Sequence, residues 1–126
     1  MSEQKFNASF RPAGPYARVV DLTGEINTLT SNELTEAFTH ATQGNIRILI
    51  FNFSGVTFLN SFGIGMLVML LIRARRENIM IVGYGLSEHY QNIFKLTRLN
   101  EVIPLYASEE IALASVTRFD LPEREY

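Results

Sequence analysis

Between Ile46 and Phe53 the chain reads Ile-Arg-Ile-Leu-Ile-Phe-Asn-Phe, almost continuously apolar and rich in β-branched residues. A strand with one wet face alternates apolar and polar side chains. A strand written this way has both faces covered, which is the habit of central strands in sheets flanked by helices. Such sheets are mostly parallel, and parallel neighbours must be joined by crossovers long enough to hold a helix. The chain around this run supplies the pieces.

Before it, Arg11-Pro12-Ala13-Gly14-Pro15 forms a turn between an extended start, Lys5 to Phe10, and a β-rich run from Tyr16 to Leu22, together a β-hairpin closed by Gly24. Thr30-Ser31-Asn32-Glu33 has the spacing of a capping box, and Leu34, Ala37, Phe38 and Ala41 follow at helical intervals until Gln43-Gly44. After the apolar strand, Ser61 opens a second helix at an N-cap position, with Gly63 and Gly65 allowing close backbone approach; Arg73, Arg75 and Arg76 suit its negative C-terminus. Ile79 to Val82 is a further short strand, and Ser87 caps a third helix lined by Tyr90, Ile93, Phe94 and Thr97. Val102 to Leu105 is a last strand that Pro104 confines to an edge, and Ser108-Glu109-Glu110 starts a final helix. The expected order is β-β-α-β-α-β-α-β-α: one α/β domain, a mixed and mostly parallel sheet of about five strands with about four helices, over residues 1–117. Residues 118–126, charged and carrying Pro122, are expected to form a flexible tail.

Composition narrows the function. The 126 residues carry eleven basic and thirteen acidic side chains, a net charge of -2, which disfavours the electrostatics of nucleic-acid binding. There is no cysteine, so disulfides, thiolate metal sites and thiol nucleophiles are excluded. His40 and His89 are the only histidines and stand in no metal-ligand spacing. Ser61 lacks a nucleophile elbow, and no acid–base constellation is legible, so no enzymatic activity and no cofactor are expected. Gly83-Tyr84-Gly85 after a strand imitates a dinucleotide fingerprint, but Glu88 stands where the third glycine belongs. No apolar stretch is long enough to span a bilayer, and the N-terminus has no apolar signal core; a soluble, cytoplasmic protein is expected.

Phe58-Leu59-Asn60-Ser61-Phe62-Gly63-Ile64-Gly65-Met66, a loop opening a helix, resembles the switch loop of the STAS domain family, the bacterial anti-sigma factor antagonists. Leu22-Thr23-Gly24-Glu25-Ile26-Asn27, Phe51-Asn52-Phe53-Ser54-Gly55-Val56, Leu96-Thr97-Arg98-Leu99 and Ser108 to Leu113 are similar to further family segments, in the same order. The resemblance implies a regulatory module that takes part in partner switching and transcription regulation. It implies phosphorylation at the position of Ser61 by a serine kinase that doubles as the anti-sigma factor, and resetting by a PP2C-type phosphatase. The chain carries Asn27 and Asn60 where the family is acidic, and Phe62 at its second hydroxyl position. Related domains that bind nucleotides or other small molecules leave a sensor as the alternative, alongside a scaffold that has lost phosphorylation.

Ile64 to Ile72 is apolar apart from Gly65. Its spacing puts Ile64, Leu67, Val68 and Leu71 on the core face and Met66, Met69 and Leu70 on another side, a contact surface for a partner or a second copy. The expected partner-binding set is therefore Asn27, Asn60, Ser61, Phe62, Met66, Met69 and Leu70, with neither nucleic acid nor membrane as partner.

Overall fold

The computed structural model describes residues 6–117; the expected tail, 118–126, lies outside them. A five-stranded sheet runs in the spatial order β1 (Asn7–Pro12), β2 (Ala17–Ile26), β3 (Ile48–Leu59), β4 (Met80–Tyr84), β5 (Leu105–Tyr106). β1 pairs antiparallel with β2 and every other pair is parallel. The helices are α1 (Ser31–Ala41), α2 (Ser61–Arg76), α3 (Glu88–Leu96) and α4 (Glu109–Thr117). The expected α/β class and element order are both found.

Because each parallel strand lies next to its predecessor, the crossovers through α1, α2 and α3 all step the same way across the sheet. Crossovers of one hand that step one way lay their helices on one face. Leu34 and Phe38 of α1, Leu67, Leu70, Leu71 and Ala74 of α2 and Phe94 of α3 accordingly share a core with Leu49, Phe51 and Phe53. The opposite face is covered by α4, whose Ala112 and Val116 pack with Val19, Ile48, Ile50 and Val82. β3 thus sends alternate side chains of its apolar run into two cores, Leu49, Phe51 and Phe53 into one and Ile48 and Ile50 into the other.

Several boundaries differ from expectation. β2 does not close at Gly24, and β3 does not stop at Phe53. Both continue, with register shifts between Asp21 and Thr23 and between Gly24 and Glu25. Gly24 takes φ +94, which lets the strand bulge and re-pair rather than end. The Thr30–Glu33 box is not formed either. Thr30 makes no side-chain cap to α1, and Asn27 instead caps a 3-10 turn over Thr28–Thr30 reciprocally with Thr30. The last strand starts at Leu105, since 99–101 form a second 3-10 turn and Pro104 contributes only its carbonyl, which accepts from Gly83 N–H at 2.9 Å. Ser87 and Ser108 do cap α3 and α4, accepting from the N–H groups of Tyr90 and Ile111.

Candidate docking site at the start of α2

The strand-to-helix junction is built from the ends of β2 and β3. At Gly63 a Cβ would lie 2.5 Å from the Ile26 carbonyl oxygen and 2.8 Å from Leu59 Cδ1, so only glycine lets α2 start this close to the sheet. Asn60 is extended, and its Oδ1 accepts from the Gly63 N–H at 2.9 Å. Asn60 is therefore the N-cap, and Ser61 is the first residue of the helix. The expectation that Ser61 caps α2 is corrected by one position: the amide can reach the third N–H from outside the helix, and its carbonyl also takes the Ile64 N–H. Ser61 is exposed, and among the described residues its hydroxyl makes no hydrogen bond.

Behind the junction, Tyr90 of α3 accepts the Leu59 N–H on its hydroxyl at 3.0 Å. β4 pairs with β3 only as far as Asn52, so the phenol serves as an acceptor on the edge of β3 that β4 does not reach. Beside the junction, Asn27 accepts from the Leu29 N–H at 2.9 Å and donates to Glu25 Oε1 at 3.3 Å. Its amide is spent on shaping the turn that presents Leu29, which is 86% exposed.

Of the expected contact residues on α2, Phe62 (44% exposed) and Met69 (61%) face solvent, and Met66 is half-buried against the core. Leu70 is corrected: at 3% exposure it belongs to the core. The run Ile64–Ile72 has no polar side chain to mark an outer face, so only the position of α1 and the sheet decides which side is inward. Gly65 is exposed, and a Cβ there would meet nothing within 4 Å. The expected close backbone approach thus holds for Gly63 and not for Gly65. Ser61, Gly65, Met69 and Ile72 follow at helical spacing, an exposed stripe starting at the free hydroxyl. Leu29 and Ile72 were not singled out in the sequence; the Asn27-x-x-Thr30 spacing was the available signal for the turn that carries Leu29.

Other constellations do not converge here. Arg73 is turned to α1, donating to Thr39 Oγ1 at 2.9 Å and lying 4.9 Å from the Phe38 ring centroid. His40 and His89 are exposed on separate helices, and no cluster of metal-ligating side chains occurs among the described residues. The strongest electrostatic cluster joins β1, β2 and α4. There Arg11 binds Asp21 at 2.7 Å and Glu109 at 2.9 Å, and Tyr84 donates to Glu109 at 2.6 Å. Hydrogen bonds from Arg11 hold both carboxyls below their ordinary pKa, while burial raises the Tyr84 phenol. No described helix is long and apolar enough to cross a membrane.

The STAS domain model matches residues 12–112. This chain belongs to the STAS family. Among solved structures, this STAS domain is similar to an anti-sigma factor antagonist from Mycobacterium paratuberculosis, at TM-score 0.79 and 22% identity over 92% of this chain and 97% of that one. It is similar to the Bacillus cell fate determinant SpoIIAA in its phosphorylated form, at TM-score 0.68 and 20% identity over 87% and 99%. It is also similar to a sulfate transporter family protein from Wolinella succinogenes, at TM-score 0.70 and 11% identity over 81% and 85%. At these identities the likeness speaks for the fold.

Proposed function

We propose that this STAS domain is a regulatory protein-binding module of the anti-sigma factor antagonist kind, docking on an anti-sigma factor that is also a serine kinase and controlled by phosphorylation of Ser61. The observation that carries the reading is the division of labour between Asn60 and Ser61. Asn60 makes the cap, so the Ser61 hydroxyl is exposed and unengaged at the first position of α2. A similar fold, SpoIIAA, exists in a phosphorylated form.

The physics of such a switch is local. The first turn of a helix has N–H groups without intrahelical partners and partial positive charge, so an added phosphate is tolerated there. It brings a charge of about -1.5 to -2 to the head of a stripe formed by Gly65, Met69 and Ile72. A partner resting on that stripe would have to bury the dianion, and binding fails without any change of shape. The domain itself performs no chemistry; the partner kinase adds the phosphoryl group, a PP2C-type phosphatase removes it, and the cycle runs in the cytoplasm.

The test is to install phosphoserine at position 61 during synthesis and compare it with wild type, Ser61→Ala and Ser61→Asp for binding to the cognate anti-sigma factor. At least a tenfold loss on phosphorylation is expected, about 1.4 kcal/mol, with Ser61→Ala still binding. The same kinase with ATP should add one phosphate, found on Ser61 by mass spectrometry. Equal affinity of modified and unmodified protein overturns the reading. Loss of binding without phosphoryl transfer by the kinase favours the unphosphorylated scaffold.

A further inference from the structure

At the other end of α2 the molecule has an open groove of about 1110 Å³, lined by the starts of β3 and β4, the α2–β4 connection and the segment before β5. Its apolar lining includes Tyr16, Met80, Val102 and Pro104, and Met80 is among the exposed large hydrophobics. Four charged side chains line it: Arg47, Arg75, Glu77 and Glu101. Their pairing is unequal. Glu77 is engaged by Arg73 at 3.6 Å and Glu101 by Arg98 at 3.1 Å, both arginines lying outside the groove lining. Arg47 and Arg75 make no ion pair among the described residues. The Arg47 guanidinium carbon lies 5.9 Å from the Tyr16 ring centroid, a cation–π contact that leaves its N–H groups for a carboxylate.

We infer that this groove is a second docking site, distinct from the Ser61 stripe, and that it takes an extended acidic peptide segment of another protein. Charge complementarity selects the occupant: two guanidiniums that make no ion pair among the described residues, each able to hold a carboxylate bidentately, line a groove that also presents apolar side chains. Size and shape select a peptide over a small ligand. Small-molecule sites of about 300–1,000 Å³ enclose most of their ligand, whereas an open trough leaves a small anion largely in water. A chain laid across it can place acidic side chains on Arg47 and Arg75 and an apolar side chain against Met80 and Val102.

The test uses the full chain. Random dodecapeptides displayed on phage are selected on the wild-type protein. Peptides that survive are then synthesised and titrated into the 15N-labelled protein and into Arg47→Gln/Arg75→Gln. Enriched sequences should carry at least two Asp or Glu with an apolar residue between them. They should shift amide signals in residues 44–48, 75–81 and 101–103, and bind the double variant at least tenfold more weakly while its spectrum stays dispersed. Absence of enrichment over the bare support overturns the proposal, as do enriched peptides without acidic residues, shifts confined to the Ser61 end, or equal affinity for the double variant. Succinate producing the same saturable shifts as the peptides also overturns it, in favour of a small-anion site.

Discussion

Two glycines two residues apart on α2, about half a turn, are under opposite constraints. Gly63 is packed so closely on Ile26 that a Cβ would fall within 2.5 Å of a backbone oxygen, which cannot swing away. Gly65 looks onto open space. Gly63→Ala should therefore lose about 2 kcal/mol or more of stability through overpacking. Gly65→Ala should gain about 0.5–1 kcal/mol, the helix-propensity difference, and weaken anti-sigma factor binding if the partner rests on the bare backbone. Urea unfolding of both variants checks the first pair of effects, and a binding titration the second. The sequence marks the two glycines alike. Which is pressed against the sheet depends on where the Ile26 carbonyl sits, and that is fixed by a bulged β2 that no local pattern announces. The same limit explains Asn60 and Ser61: both are favoured N-caps, and only the extended backbone of Asn60 decides between them.

At the scale of elements, α2 separates what burial does from what the proposed recognition uses. Met69→Lys should leave the fold intact and reduce partner binding at least tenfold, because the side chain is already mostly in water. Leu70→Ala should cost about 2–5 kcal/mol, as for other large-to-small changes in a packed core. Thermal unfolding alongside binding separates the two. The neighbouring cluster of β1, β2 and α4 makes a different prediction. Asp21 and Glu109 have folded-state pKa values below their ordinary 3.8 and 4.5, so the unfolded chain binds more protons as acid is added. Their contribution is present above those ordinary values and is lost as pH falls below them. The groups are partly exposed, so the effect is modest. Arg11→Met should flatten the fall in urea midpoint between pH 5 and about pH 2.5; an unchanged acid limb would assign it to other carboxyls. The elements themselves were legible, because the two-sided apolar run at Ile46–Phe53 and the serine caps Ser87 and Ser108 act locally. The length of β3 was not, since Ser54 to Leu59 are held by β2 and Tyr90, partners distant in sequence.

Among the described residues, three helices share one face of the sheet and α4 covers the other, and the Ser61 hydroxyl makes no hydrogen bond that a phosphate would break. Phosphoserine at 61 should thus shift amide signals near residues 26–30 and 58–66 and leave the α4 side unmoved in 15N–1H spectra. Shifts spread through α4 would indicate a conformational switch instead. α2 itself runs sixteen residues from Ser61 to Arg76, about 24 Å at the ordinary helical rise. That span exceeds the width of an extended peptide, about 5–10 Å, so a peptide held in the groove need not reach Ser61. A domain built on such a rod can act as an adaptor, keeping one client tethered while charge at the far tip decides whether the other stays.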